Sequence, residues 1–493
     1  MPFEFINNAV IGPAARKRIR SHVAVGRNVG KKLVRTSRKR SIGIRREITL
    51  AAVHLSNAQD VAGRLGCKYT REDTIDEIER HVGDSISVLS FPDHVVRNKR
   101  IIQRAFSFIS SVGHPPELNN ALITPHASTS IFVQFMVLDE ACLHCGVAVS
   151  ITALNNLIIN QEDPKTAMHH LSRAFRLIND KLSGNDAVAD TTIAVVLTMS
   201  HYYRLQGQFR QGLVHLQKLE KMVEMRGGIA SLEKEQFTLA QKIFRADLEY
   251  SLHLGTSLRY TVQDIESNNS FFIRKTDHSH FYGRQVISSA QGNLQLSTDL
   301  RVLLTDIAYF AWLLNEAIVG RGPPLDSYKL HNTLLLLGYR LISMYPLGVL
   351  RPNNPLEDAI HLGLTSFVTT FIRGLDGKVP DNPLLAGLIK SSAQKLSGNK
   401  HWHSDVLLWL LFIEKSSVLR NADNTWLAQK ISQTMHAIGL QCWFDIQRIL
   451  EGFPWIGALH DKEGTALVNS MKESLSDNLV ISRPTTKFPH QLP

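Results

Sequence analysis

The chain has 493 residues, 44% of them hydrophobic, and carries 55 Lys and Arg residues against 44 Asp and Glu residues, a net charge of +11. This apolar share is enough for a large core, so the composition excludes a disordered protein. The four scattered cysteines exclude a disulfide framework and favour a reducing compartment. Because the uninterrupted apolar runs are shorter than a bilayer requires, we expect no membrane span.

Residues 1–47 form a basic segment with few acids. Thirteen Lys and Arg residues lie between Arg16 and Arg46, whereas Glu4 and Glu47 are the acids of the segment, so the excess charge of the chain is concentrated here. Self-repulsion and interspersed glycines oppose a stable fold, which predicts a mobile arm suited to nuclear import or weak, non-specific phosphate contact. The residues expected to make these contacts are Arg16, Lys17, Arg18, Arg20, Lys31, Lys32, Arg38, Lys39 and Arg40.

The same arm has two other interpretations. It can be a solvated basic tail without a partner. It also shares with mitochondrial transit peptides an Arg-rich stretch without acids between residues 5 and 46, although hydroxyl residues are few and glycines interrupt an amphipathic helix. The sequence leaves these alternatives open.

Residues 48–98 have a mixed pattern and are predicted to be a connecting region. A short helix is expected over Ile101–Ser111, ended by the prolines that follow His114. The nearly continuous apolar pattern of Ile131–Ile151 then predicts one long buried helix. It contains Cys142-Leu143-His144-Cys145, but zinc would require further ligands and the chain has no second CxxC pair, so we interpret these cysteines as core residues.

The next segments predict helices joined by short breaks. Pro164–Asn179 follows a candidate N-cap, Asp163, and Gly207 separates Thr191–Gln206 from Phe209–Met225. In Glu233–Leu254 an apolar stripe recurs at helical spacing, formed by Leu239, Ile243, Ala246 and Tyr250. After a polar loop at 261–296, further helices are expected over Leu300–Val319, Leu330–Met344, Leu356–Arg373, Pro383–Lys395 and Ser404–Leu419.

No segment has the pattern of a strand, so the predicted fold class is all-α. Successive helices with short connections predict a large bundle of antiparallel helical hairpins. Their packing should be similar to that of tetratricopeptide proteins, although no sequence repeat of that kind is evident.

The order of several motifs resembles the regulatory domain of fungal-specific transcription factors. A helix with a central histidine, His215, leads into Met225-Arg226-Gly227-Gly228, and Phe244-Arg245-Ala246-Asp247-Leu248 follows. Taken singly, His215 is a core or boundary residue and the glycines are a helix C-cap. A second group, in the order of the closing helices of that domain, consists of Asp405–Ile413, Gly439–Trp443, Arg448–Leu450, Phe453–Ile456 and His460-Asp461.

The resemblance implies a helical regulatory domain over 99–470, between the connecting region and a polar tail at 471–493. It implies a nuclear transcriptional regulator whose partners are other regulators or co-regulators and which can form homo- or heterodimers. Many such proteins carry an amino-terminal cluster of six cysteines around zinc. This sequence has Cys67 alone before residue 140, so that cluster cannot form and direct sequence-specific DNA reading is in doubt.

Other function classes have less support in the sequence. No phosphate loop, nucleophile elbow, HExxH motif or paired carboxylate signature is present, so we expect no enzyme, no catalytic residue and no cofactor. The His169-His170 pair diverges on a helix and cannot chelate one metal ion. The remaining alternative is a helical scaffold outside the nucleus, with the basic arm as an organelle address or a contact for an anionic membrane.

Overall fold

The computed structural model of the protein describes residues 114–123, 130–157, 164–267, 271–272, 296–372, 381–397, 404–417 and 425–481. The predictions for the basic arm, the connecting region, the helix Ile101–Ser111 and the N-cap Asp163 lie outside these residues. Within them the all-α prediction is confirmed, because helices account for nearly all regular structure. The tetratricopeptide-like packing of antiparallel hairpins stays a prediction.

The described residues divide into two compact units. The first unit comprises residues within 130–240, and the second comprises 114–123 and residues within 241–481, so the division falls inside one helix, between Ala240 and Gln241. The first unit contains helices α1 (Ile131–Leu138), α2 (Glu140–Leu157), α3 (Pro164–Leu182), α4 (Asp190–Leu205), α5 (Phe209–Met225), α6 (Ile229–Glu235) and the start of α7 (Phe237–Leu254).

The core of the first unit lies where α2 packs against α3 and α4, and where α4 packs against α5. The predicted boundaries of α4 and α5 are confirmed to within one residue, because glycines end both helices. Gly207 and Gly227 adopt φ angles of 68° and 104°. After α5, the Gly228 amide donates to the Val223 carbonyl at 2.9 Å, the bond typical of a Schellman cap.

Two predicted helices of the first unit are each interrupted. Ile131–Ile151 is wrong as one helix because Asp139 adopts extended angles and its Oδ1 accepts hydrogen bonds from the amides of Ala141 and Cys142, which caps the start of α2. Glu233–Leu254 is wrong as one helix because the backbone at Gln236, with φ −140° and ψ 62°, is not helical.

The second unit holds the remaining elements. A 3-10 helix, Pro116–Ala121, precedes strand β1 (Leu122–Ile123), which pairs in parallel with β2 (Leu325–Asp326), so the expectation of no strand is wrong for these short segments. Such pairing joins residues that are distant along the chain, so no local pattern in the sequence indicates it. The helices are α8 (Val262–Glu266), α9 (Thr298–Val319), α10 (Ser327–Met344), α11 (Pro355–Thr369), α12 (Pro383–Ser397), α13 (Ser404–Ser416), α14 (Thr425–Ala437), α15 (Trp443–Leu450) and α16 (Gly457–Ile481).

Two of these helices refine the sequence expectations. Helix α8 lies within the segment predicted as a polar loop, where Thr261 and Asp264 form a capping box that starts one helical turn. Helix α16 ends at Ile481, so it continues into the segment predicted as a polar tail.

The core of the second unit is built around α13, which packs against α11 and α12. Trp409 is fully buried, stacks on Phe453 with ring centroids 5.1 Å apart, and donates its indole N–H to the Pro454 carbonyl at 3.2 Å. A Cβ atom at Gly363 would lie 2.3 Å from the Trp409 ring, so glycine permits α11 to approach it. Trp409 therefore has a structural role, since it buries a large aromatic surface between these elements.

Helix α9 is long and apolar enough, by length and composition, to cross a membrane; among the described residues it alone meets that test, and 56% of its apolar window is buried inside the protein. Its apolar residues Leu303, Ile307 and Phe310 are fully buried. Asp306 forms an ion pair with Arg340 of α10, with a distance of 2.5 Å between Oδ2 and Nη1. These contacts are those of a core helix.

Candidate functional site

Helices α7 and α10 and the residues just after α11 enclose a small pocket in the second unit. On α7 the lining residues recur at helical spacing, so they share the face turned toward α10. On α10 the spacing is also that of one face. The cationic pocket, as we call it, is lined by Gln241, Lys242, Arg245, Leu248, His331, Leu334, Leu335, Phe371 and Ile372.

A close helix contact and a buried polar group fix the walls of this pocket. A Cβ atom at Gly338 would lie 2.5 Å from Leu248 Cδ2, so glycine allows α10 to approach α7. One turn away, the Tyr339 hydroxyl donates to Asp247 Oδ2 at 2.9 Å and Arg259 Nη1 donates to Asp247 Oδ1 at 3.1 Å. These bonds compensate the buried carboxylate of Asp247 and hold the two helices in register.

Two cationic residues, Lys242 and Arg245, are among the residues that line the pocket. Arg245 forms an ion pair with Glu249, with Nε and Oε1 separated by 2.9 Å. Lys242 lies about two helical turns before Glu249 on α7. Its ammonium forms no hydrogen bond or ion pair within the part of the chain that the structure describes. The side chains of Lys242 and Arg245 are both half-buried.

The pKa values of the lining residues reflect this environment. Burial, with a smaller effect of the nearby Arg245 charge, lowers the pKa of Lys242 to about 8, and Glu249 opposes the shift. Burial also lowers the pKa of His331 to about 3, with further lowering by Lys242 and Arg245. At neutral pH, Lys242 is therefore mostly charged and His331 is neutral.

Hydrogen bonds orient the polar residues at the edge of the pocket. His331 Nδ1 lies 2.9 Å from the Ser327 carbonyl oxygen, so the neutral ring carries its proton on Nδ1. Gln241 Nε2 donates to Asn332 Oδ1 at 2.6 Å, which ties α7 to α10. The cationic character of the pocket thus comes from Lys242 and Arg245.

The space inside the cationic pocket is small. About 20 Å³ is accessible to the centre of a water molecule, which is room for one or two waters or for a small polar group. Leucines from both helices and Phe371 supply most of the wall. The exposed wall of the cavity is almost wholly apolar, so the cationic groups of Lys242 and Arg245 lie at its edge.

The histidines and cysteines of the first unit have packing roles. His215 is buried and stacks on Tyr203, with ring centroids 5.1 Å apart, and burial lowers its pKa to about 4. Cys142 and Cys145 are buried, and their thiols contact carbonyl oxygens at the start and middle of α4, at 3.2 and 3.9 Å. The predicted core positions of His215 and of both cysteines are confirmed.

The adjacent histidines of α3 diverge as predicted. His170 is buried, with Nδ1 2.7 Å from Nδ1 of His144, whereas His169 is exposed. Among the described residues no group of three His, Cys, Asp or Glu side chains could hold a metal ion.

The sequence-predicted phosphate contacts and the observed pocket involve different residues. The nine basic residues predicted in the arm, from Arg16 to Arg40, lie outside the described residues. Lys242 and Arg245 were not singled out in the sequence because both lie outside the apolar stripe of α7. Phe244 and Leu248, which are apolar and also lie outside that stripe, were a sign that α7 has a second contact face.

Comparison with known families adds one match. Residues 102–328 match the model of the fungal specific transcription factor domain. This stretch of the chain is similar to that domain. No curated protein and no solved structure matches the chain.

The matched part of the chain contains α1–α9 and the motifs on which the resemblance depended, from His215 to Leu248. It also contains both cationic residues of the pocket, Lys242 and Arg245. The closing motifs at 405–461 lie beyond the match, so the resemblance there stays a prediction. Proteins of this domain family are in general transcriptional regulators and not enzymes, and their place of action is the nucleus.

Proposed function

We propose that the protein is a nuclear transcriptional regulator that acts through its helical domain and through other regulators or co-regulators. The observation that carries this proposal is the fungal specific transcription factor domain at residues 102–328. In the proposed organisation, 99–470 is the regulatory body, 48–98 is a connection and 471–493 is a tail. Homo- or heterodimers are among the assemblies through which such a domain would act.

The basic arm is the proposed import signal. Its clusters Arg16-Lys17-Arg18, Lys31-Lys32 and Arg38-Lys39-Arg40 have the composition of import signals and of phosphate-binding segments. These 493 residues contain four cysteines, fewer than a six-cysteine zinc cluster needs. The proposal is therefore that target genes are reached through partners, with the arm adding weak contact to DNA.

Imaging tests the proposed location. A carboxy-terminally tagged chain should be nuclear, and replacement of the nine basic residues by alanine should move it to the cytosol. The matched control replaces nine Lys and Arg residues elsewhere on the exposed surface, including Lys329, and should stay nuclear. Mitochondrial signal with a shortened chain would contradict the proposal and support the transit-peptide alternative. Recovery of membrane proteins in place of co-regulators by proximity labelling would favour a non-nuclear scaffold.

DNA binding by the arm has a characteristic salt dependence. If several phosphates are neutralised, affinity for duplex DNA should fall by about 10³-fold or more between about 50 and 200 mM salt, with little preference between unrelated sequences. A chain beginning at Ile48 should lose nearly all binding. Binding that resists salt, prefers one sequence and survives removal of the arm would instead assign DNA reading to the helical body.

A further inference from the structure

A pair of buried histidines joins α2 to α3 in the first unit. His144 of α2 and His170 of α3 are each 3% exposed, and their Nδ1 atoms lie 2.7 Å apart. At this distance one Nδ1 atom donates a hydrogen bond and the other accepts it, so a single proton lies between the two rings. The contact therefore limits how many protons the pair can hold.

A neighbouring carboxylate indicates which ring donates. His144 Nε2 lies 3.7 Å from Glu140 Oε1. The hydrogen bond from His144 is the largest cause that lowers the pKa of Glu140 to about 2; burial opposes it, and Arg173 adds to it. His144 therefore carries a proton on Nε2 and accepts through Nδ1, whereas His170 donates through Nδ1.

The arrangement admits one added proton and excludes a second. With one added proton the pair carries a single positive charge, and the bond between the Nδ1 atoms is kept. A second proton would place N–H groups on both Nδ1 atoms, which would repel each other at 2.7 Å. When α3 is detached from α2, both histidines can protonate near their ordinary pKa of about 6.5. In acid, the detached state therefore binds at least one proton more than the packed state.

The groups around the pair do not produce the same effect between about pH 5 and pH 7. Glu140 stays ionised in this range because its pKa is about 2. Tyr202 of α4 stays neutral because burial raises its pKa. The sequence of α1 contains no titratable side chain. His201 of α4 and His215 of α5 are unchanged in the variants compared below, so their effects cancel in that comparison.

We propose that the pair of His144 and His170 is an acid-sensitive latch between α2 and α3. It holds α3 in place at neutral pH. Below about pH 6, each further pH unit raises the population of molecules with α3 detached by about ten-fold, because one more proton is bound in that state. The inference goes beyond the proposed function, since it concerns the folding of the first unit. Detachment exposes the apolar face of α3, whose buried residues are Ala167, Leu171, Ala174 and Ile178.

Hydrogen–deuterium exchange of the purified full chain, followed by mass spectrometry from about pH 7.5 to about pH 5, tests the inference. The protection of the α3 amides, corrected for the pH dependence of chemical exchange, measures the detached population. The variant is His170→Asn, because the amide can donate to His144 and can also rotate to offer its oxygen once His144 is protonated. Below about pH 6, protection in the wild-type chain should fall about ten-fold more per pH unit than in His170→Asn.

Two further measurements make the test specific. The matched control, His169→Asn, is the same change at the adjacent, exposed position of α3 and should keep the wild-type pH dependence. Nitrogen-15 NMR of the histidine rings in the wild-type chain should show a coupling across the hydrogen bond between the Nδ1 atoms of His144 and His170 at neutral pH. If His170→Asn does not fold, His144→Asn takes its place.

Three outcomes would overturn the inference. The first is an equal dependence of α3 protection on pH in the wild-type chain and in His170→Asn. The second is an equal effect of His169→Asn and His170→Asn, which would indicate a general effect of removing a histidine from α3. The third is the absence of a coupling between the two rings, which would show that they do not share a proton.

Discussion

Polar side chains have different surroundings in two helix pairs, α4–α5 of the first unit and α7–α10 of the second unit. Between α4 and α5, His215 is buried and neutral and stacks on Tyr203. Between α7 and α10, Lys242 is a half-buried cation beside a small cavity. A polar residue that packs completely is part of the scaffold, whereas an incompletely matched charge next to open space is a candidate binding site.

The second unit itself contains a control for this comparison, because Asp247 is buried and its carboxylate is hydrogen-bonded. It accepts hydrogen bonds from the Arg259 backbone, from the Arg259 guanidinium and from Tyr339. We expect Asp247→Ala to lower the free energy of unfolding by about 3–5 kcal/mol, because it removes the charge that balances a largely buried arginine. Denaturant unfolding measures this.

The control for that variant is Asp381→Ala. Asp381 is exposed, so the change should stay within about 0.5 kcal/mol. Equal effects of the two substitutions would contradict the assignment of Asp247 as a compensated structural charge.

Glu414 is a buried carboxyl group in the core of the second unit. It is fully buried in α13, its carboxylate oxygens have no hydrogen-bond partner among the described residues, and burial raises its pKa well above 4.5. Because the folded state holds the proton more tightly, its contribution to stability is present below about pH 4.5 and is lost as pH rises through the folded-state pKa. We expect Glu414→Gln to stabilise the protein at neutral pH by about 1–3 kcal/mol.

The pH dependence separates this effect from a change in packing. The stabilisation by Glu414→Gln should shrink on acidification, and Glu451→Gln, at an exposed position, should have little effect at any pH. Destabilisation by Glu414→Gln at neutral pH would show that the carboxylate has a partner and is needed in its charged form.

Lys242 should make the stability of the protein depend on pH in the direction opposite to that of Glu414. Its folded-state pKa of about 8 lies below the ordinary 10.5, so the unfolded state binds more protons between these values and stability should rise with pH across that window. Lys242→Met should remove this rise and stabilise the protein at neutral pH by about 1–2 kcal/mol, less than the full shift implies because the side chain is partly exposed. Lys329→Met should leave the rise intact.

The smallest effect at neutral pH is expected at His215. Replacement by Phe conserves the ring stack, so the change should be less than about 1.5 kcal/mol. Since burial lowers the His215 pKa from 6.5 to about 4, the wild-type chain should lose stability as pH falls through that window, and His215→Phe should lack this part of the loss. A large loss at neutral pH would instead reveal a hydrogen-bonding role for the imidazole.

Local signals in the sequence were enough for much of the fold. Gly207 and Gly227 ended α4 and α5 as predicted, because left-handed backbone angles favour glycine. The break at Asp139 was missed because the apolar pattern continues across it, and the aspartate caps α2 without interrupting that pattern. The parallel pair β1–β2 joins residues that are about 200 positions apart along the chain. No local sequence pattern predicts a pairing over such a separation.

The candidate site could be predicted less well than the fold. Periodicity correctly placed Leu239 and Ile243 in the core, since both are fully buried. It made no prediction for the rest of α7, where α10 packs and Lys242 is half-buried. Which helix covers a second face depends on long-range packing, here on the contact between Gly338 and Leu248.

The most direct test of the contrast between packed scaffold and binding site is the titration of Lys242 itself. Carbon-13 at the lysine Cε reports protonation by NMR, and the signal that disappears in Lys242→Arg identifies the residue. We predict that Lys242 titrates near pH 8, because burial disfavours the charged ammonium. Titration at the ordinary value of 10.5 would contradict the account of Lys242 as a cation that burial destabilises.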